Sequence, residues 1–236
     1  MKARYVSLLY LIISCLMAIG ISGFSIWRNK ERSVSEIAIT FEGSAYYLND
    51  SIVNKLFIQK WPSDTLKNGD ALVLKAVEDY FKTLTVVENA EVFQYPEGVL
   101  GVKIKERRPL FRVAEKTSFY VDASGNTFPI SDTHTFYVPV FLEGFSESKK
   151  NEIVKLVHTL LDDEYVSKEL SYLYLEEGHY VMGLRSFDFK VAIGTPLEVE
   201  NKLRKLKTFC AYQQRKETQS FSKINLEYKN QIIATF

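Results

Sequence analysis

Residues 86–109 read VVENAEVFQYPEGVLGVKIKERRP, and the fold turns on them. Two strand-like runs, Val86–Tyr95 and Val99–Lys105, flank Tyr95-Pro96-Glu97-Gly98, whose Pro and Gly are turn formers. In the second run Leu100, Val102 and Ile104 face one way, and Lys103 and Lys105 the other. A period of two implies one buried and one wet face. The hairpin ends at Glu106-Arg107-Arg108-Pro109, where Pro109 confines Arg108 to extended conformations.

Upstream the period is helical. Asn68-Gly69-Asp70 starts a run with Leu72, Val73, Ala76, Val77, Tyr80 and Phe81 on one face. Before it, Leu48-Asn49-Asp50-Ser51 offers N-cap residues to a shorter helix carrying Ile52, Val53, Leu56 and Phe57, and Trp61-Pro62-Ser63-Asp64 breaks that helix. Val34, Ile37 and Ile39 mark a strand over Ser33–Thr40. The order β-α-α-β-β over residues 33–106 closes a small two-layer module.

Further upstream, Tyr5–Trp27 contains no charged residue and is flanked by Lys2 and Arg4 on one side and Arg28, Lys30 and Arg32 on the other. As a helix it spans a hydrocarbon core of about 30 Å. Tyr5, Tyr10 and Trp27 suit the interfaces. The run is too long for a cleaved signal. It also stays apolar after Cys15, unlike a lipoprotein signal. An uncleaved anchor is therefore expected within residues 1–32. Basic residues balance across the two ends, so charge leaves the orientation open.

Downstream, residues 107–236 read as an α+β domain, an antiparallel sheet covered by two helices. Strands are expected at Leu110–Ala114, Ser118–Asp122, Tyr137–Leu142, Leu170–Glu176, Tyr180–Arg185 and Phe187–Ile193. Ser146 is placed as the cap of a helix bearing Ile153, Leu156, Val157, Leu160 and Leu161. Pro196 is placed in the first turn of another, with Val199, Leu203, Leu206 and Cys210 as its stripe. Phe221–Tyr228 and Gln231–Phe236 form a closing hairpin.

The chain carries 30 basic and 29 acidic residues, so no electrostatic bias toward nucleic acid exists. Its cysteines, Cys15 and Cys210, fall in the anchor and a distant helix and cannot pair. His134, His158 and His179 lack metal-ligand spacing. His158 reads as a partly buried structural residue, Asp162-Asp163-Glu164 as a solvated charge run, and Lys202, Arg204, Lys205 and Lys207 as a solvated helix face. No phosphate loop or nucleophile elbow occurs. The reading is of a protein without catalytic, cofactor or metal site and without a small-molecule substrate.

Specific residues then resemble a known family. Ile37-Ala38-Ile39-Thr40-Phe41-Glu42-Gly43, with the two helices, resembles the polypeptide-transport-associated (POTRA) domain. Val87–Val92, Tyr95-Pro96 and Val102–Pro109 resemble the module-to-domain junction of the bacterial cell-division family FtsQ/DivIB. Tyr120-Val121-Asp122, Gly125, Phe128-Pro129, Val138-Pro139 and Gly144 match its next stretch, and Ile224–Tyr228 its closing strand. Thr85-Val86 departs from the Pro-aromatic pair many relatives carry, and the tail before the anchor is short. The resemblance implies a single-pass protein of the inner membrane, concentrated at the division site, with its amino terminus cytoplasmic and its domains periplasmic. It implies a non-enzymatic scaffold that binds membrane-anchored coiled-coil proteins of the FtsB/FtsL type, and other divisome components, and helps control septal peptidoglycan synthesis. A POTRA-containing envelope assembly or secretion factor is the alternative.

The closing hairpin is the expected partner site, through Tyr228, Asn230, Gln231, Ile233 and Phe236. Its last strand is placed as a sheet edge, which invites pairing with another chain. Ile232, Ala234 and Phe236 fall on one face, Gln231, Ile233 and Thr235 on the other. The spacing of Tyr228 and Phe236 resembles a Tyr and a terminal aromatic that bind the partner in relatives. The competing reading has both residues closing the core.

Overall fold

A computed structural model describes residues 2–30, 36–61, 71–95, 98–215 and 220–236. The chain forms two compact units, Met1–Glu106 and Arg107–Phe236. Ser33, Val34, Pro62–Asp70, Pro96 and Glu97, which carry parts of the expected strand, breaker, cap and turn, lie outside the described residues.

The first unit begins with helix α1 (Lys2–Lys30). Its described side chains, Tyr10 and those of residues 12–25, are all exposed. Among the described residues no helix is long and apolar enough to cross a membrane. The expected anchor Tyr5–Trp27 runs past both ends of those side chains.

Next come β1 (Glu36–Phe41), α2 (Asp50–Lys60), α3 (Ala71–Thr83), β2 (Val87–Gln94) and β3 (Val99–Glu106). The sheet order is β1-β3-β2, with β1 parallel and β2 antiparallel to the central β3. Asn49 caps α2 by accepting the Ile52 N–H at 2.9 Å. Val53, Phe57, Val77 and Phe81 of the helices pack on Leu100, Val102 and Ile104, as the alternation requires. On the wet face Lys103 pairs with Glu42 at 3.2 Å and Lys105 with Glu88 at 2.8 Å. Glu106 ends β3 as a buried carboxylate and accepts the N–H groups of Tyr46, Tyr47 and Leu48 at 2.6, 3.0 and 2.7 Å. These charge-assisted bonds offset its desolvation and fasten the loop before α2 to the sheet.

The second unit is a nine-stranded sheet. Its strands are β4 (Pro109–Ala114), β5 (Ser118–Asp122), β6 (Thr127–Pro129), β7 (Val140–Phe141), β8 (Leu170–Glu176), β9 (His179–Leu184), β10 (Lys190–Gly194), β11 (Lys223–Asn225) and β12 (Ile233–Thr235). Helices α4 (Lys150–Asp162) and α5 (Glu164–Glu169) lie between β7 and β8 in sequence, and α6 (Val199–Arg215) between β10 and β11. The order across the sheet is β12-β11-β10-β9-β8-β7-β4-β5-β6.

The sheet is mixed rather than antiparallel. β7 runs parallel to both β4 and β8, and β11 runs parallel to β10. For the β7–β8 and β10–β11 pairs the cause is the position of the helices, because a strand that reaches its neighbour through a helix returns in the same direction; β4 and β7 are joined instead through β5, β6 and residues 130–139. One transverse row, Val113, Phe141, Leu173, Met182, Val191 and Ile224, ends on Ala234. All but Ala234 belong to the buried core with Ile153, Leu156, Val157 and Leu160 of α4 and Leu203, Leu206 and Cys210 of α6.

Several expectations are corrected. The strand over Tyr137–Leu142 shrinks to two residues, and Thr127–Pro129 pairs with β5 as a strand not foreseen. Ser146 caps no helix, because α4 starts at Lys150, after a turn in which the Lys149 N–H bonds the Ser146 carbonyl. Pro196 precedes α6 in a bend, since the helix starts only after Glu198, a residue at φ 50°. His158 is exposed because it lies on the same side of α4 as Val154 but further round from the buried stripe Ile153, Leu156, Val157 and Leu160. Asp163 is not merely solvated. It caps α5 through the Tyr165 and Val166 N–H groups and binds Lys207 Nζ at 2.6 Å. Burial alone would raise its pKa, but the Lys207 bond and those two N–H donors hold it below its ordinary value.

Candidate protein-interaction edge

β12 exists because Ile232, Ile233 and Ala234 follow a turn and alternate between a covered and an open face. Its register on β11 sets Lys223 opposite Thr235, Ile224 opposite Ala234 and Asn225 opposite Ile233. Ala234 and Ile232 turn toward the helix-covered side, where Ile232 packs against the core. Ile233 and Thr235 turn to the open side, with Ile233 41% exposed. Beyond β12 the sheet has no further strand among the described residues.

Tyr228 and Phe236 do not close the core: they are 48% and 75% exposed. Asn230, Gln231 and Ile233 are exposed as well, so all five residues singled out in the sequence share the surface of this hairpin. Phe236 sits at the end of an aromatic series that rises from the interior. Ring centroids are 5.8 Å apart for Phe189–Phe209, 5.6 Å for Phe209–Phe221 and 5.0 Å for Phe221–Phe236. The last ring is thus backed on one side and open on the other.

Within the basic run on α6, Arg204 is exposed as the sequence implied, whereas Lys205 is tied to this hairpin and Lys202 is buried. Lys205 Nζ donates to the Leu226 carbonyl at 2.8 Å and also to the Tyr228 carbonyl. Lys202 is 8% exposed, and its Nζ donates to the Thr195 carbonyl at 2.8 Å. Burial pushes its pKa down; Glu227 and Glu198 pull it back, and the Lys205 charge adds to the fall. Arg204 bonds the Asn201 side chain. A depression of about 380 Å³, lined by Arg204, Lys205, Lys229 and Asn230 among others, adjoins the turn.

Sequence reasoning missed His179 and Glu227, whose Nδ1 and Oε2 approach to 3.2 Å across the sheet end. No spacing rule links residues so far apart. Gly194 beside them sits at φ +72°, and a Cβ there would lie 2.4 Å from Glu227 Cγ, so the close approach of this side chain needs glycine. Among the described residues no group of His, Cys, Asp or Glu could hold a metal ion, and Cys15 and Cys210 are free thiols.

A mixed sheet backed by helices, whose terminal strand β12 has no further strand beyond it among the described residues and an exposed aromatic side chain on either side, defines an α+β domain with an open sheet edge. Comparison with known families then places it. The family described as FtsQ/DivIB, C-terminal related, matches residues 108–235, more than half of the chain, and the chain belongs to it. Membership ties it to a role in bacterial cell division. No curated protein matches the chain.

Proposed function

We propose that this protein is a membrane-anchored, non-enzymatic scaffold of the division machinery that binds a coiled-coil partner of the FtsB/FtsL type by strand addition to β12. The observation that carries the reading is the position of β12 at the end of the sheet, with Tyr228, Ile233 and Phe236 exposed around it. Main-chain groups on such an edge supply affinity, and the flanking aromatics supply the anchors that dominate binding energy.

The anchor is α1. Ile12, Ile13, Leu16, Met17, Ile19 and Ile21 are each at least half exposed on a 29-residue helix. A helix with apolar side chains on every side has no favourable contact with water, and lipid supplies one. The first unit, with its β-α-α-β-β order, serves as the POTRA-like recruitment module. The second unit carries partner binding on the periplasmic side.

Two experiments test the reading. A fluorescent fusion of the full chain should collect at midcell, and an even distribution around the envelope overturns the division role. The purified full-length chain should bind the extracytoplasmic segment of the FtsB-type protein from the same cell. Loss of that binding on masking β12, and not on masking β6, would assign it to the edge.

A further inference from the structure

We infer that Lys205 is a positioning residue for the candidate edge, acting through the backbone that presents Tyr228. The inference rests on the partner-edge reading above. β11 ends at Asn225 and β12 starts at Ile233, so residues 226–232 lie outside the strand ladder. The start of this segment is held by the Leu226 N–H on the Ala192 carbonyl at 2.9 Å and the Glu227 N–H on Asn225 Oδ1 at 2.8 Å. After Glu227 the chain turns away from β10, and Lys205 takes over. Its ammonium has three donors and spends two on the Leu226 and Tyr228 carbonyls, two residues apart.

Lys205 itself is fixed from behind. It stands on α6 between Leu203 and Leu206, both buried, so the helix cannot shift without opening the core. Three residues earlier Lys202 binds the Thr195 carbonyl where the chain leaves β10. The two amines therefore fasten α6 to the exit of β10 and to the exit of β11. The backbone of Tyr228 is held while its ring stays open to solvent, an arrangement that lowers the ordering cost of binding. Lys205 is only half buried, so water can replace its bonds once they are lost. Removing the ammonium should then loosen the turn without unfolding the domain.

The test uses Lys205→Met, which keeps the stem and loses the donors, with Lys205→Gln as a shorter neutral substitution and Lys205→Arg as the conservative one. In the full-length chain without partner, amide exchange at Glu227, Tyr228 and Lys229 should speed up in Lys205→Met and Lys205→Gln, and return toward the parent rate in Lys205→Arg. Unchanged exchange in both neutral variants overturns the inference, whatever the partner does. With the extracytoplasmic segment of the FtsB-type protein as probe, Lys205→Met should weaken binding roughly tenfold, the scale of one or two charge-assisted hydrogen bonds. Combined with Tyr228→Ala it should add almost nothing further, whereas combined with Phe236→Ala the two losses should multiply. Losses that multiply with Tyr228→Ala show that Lys205 does not act through Tyr228. If the parent chain fails to bind this probe, the partner reading falls, and the exchange result still decides the role of Lys205.

Discussion

The two ends of the nine-stranded sheet are built in opposite ways. At one end β6 is Thr127-Phe128-Pro129, with Phe128 buried against Tyr120 at 5.6 Å and Pro129 lacking an N–H to offer. The chain then folds over the same residues: the Phe136 N–H donates to Tyr120 Oη at 3.3 Å, and its ring meets that of Tyr120 at 5.5 Å. At the other end β12 is Ile233-Ala234-Thr235, without charge or proline, and its flanking aromatics point outward. Edges that serve no partner are normally blunted, because unpaired main-chain groups attract other chains. The contrast is between an end that the chain blunts with a proline and an overlying loop and an end that carries neither device.

The largest effect should come from breaking the closed end. Asp122 is buried, pairs with Arg107 at 2.6 Å, and accepts the Ser124 and Asn126 N–H groups at 2.9 and 2.8 Å to form the turn from β5 into β6. Asp122→Ala leaves the Arg107 charge without this partner, and should cost about 3 kcal/mol of stability by chemical denaturation. Parent-like stability would show that the turn does not secure β6. At the open end, Phe236→Ala and Tyr228→Ala should each weaken partner binding by about 2 kcal/mol. Neither should move the melting temperature by more than about a degree or two, since Phe236 is largely exposed and Tyr228 about half exposed. A collapse of melting in either variant would erase the distinction between the two ends.

A smaller change should convert one end toward the other. Ile233→Lys places on β12 the charge that guards unused edges, and should lower affinity by about 1 kcal/mol with stability within about 0.5 kcal/mol. Smallest is the dependence on pH. Burial by itself would raise the Asp122 pKa, but the Asn126 and Arg107 bonds outweigh it and hold the carboxyl below its ordinary 3.8. Because the folded value is the depressed one, this stabilisation is present above that ordinary value and lost as pH falls through the folded one. Melting followed from pH 7 downward should therefore decline in the acid range, and Asp122→Asn should flatten that part of the decline.

Much of this architecture was legible in local periodicity. Leu100, Val102 and Ile104 alternate into the core, and Val199, Leu203, Leu206 and Cys210 all face inward on α6. In the second unit two of the three parallel pairings were legible too, but only through connection logic: a helix between two strands signals a parallel crossover, and both helical insertions here produce one, whereas the parallel β4–β7 pair has no such helix. Alternation alone says nothing about direction, which is why an antiparallel sheet was expected. The two-residue β7 and three-residue β6 are too short to carry a period. At the candidate edge the exposed aromatics could be named from sequence, whereas Lys205 could not. Its partners are carbonyl oxygens of Leu226 and Tyr228, and main-chain acceptors leave no mark in a sequence.

The two-residue β7 also governs how the sheet carries load. Among the described residues the main-chain ladder between β8–β12 and β4–β6 runs through Val140 and Phe141, with neighbouring bonds from the Arg112 N–H to the Pro139 carbonyl and from the Leu142 N–H to the Leu173 carbonyl, each under 3 Å, while the shared core and α4 span the same divide. A pull on β12 loads this narrow stretch of ladder, together with the core behind it, before reaching Pro109 at the start of the unit. In a series of links the shortest one yields first. Under traction the sheet should part beside β7, while β8–β12 keep their pairing and their grip on α6.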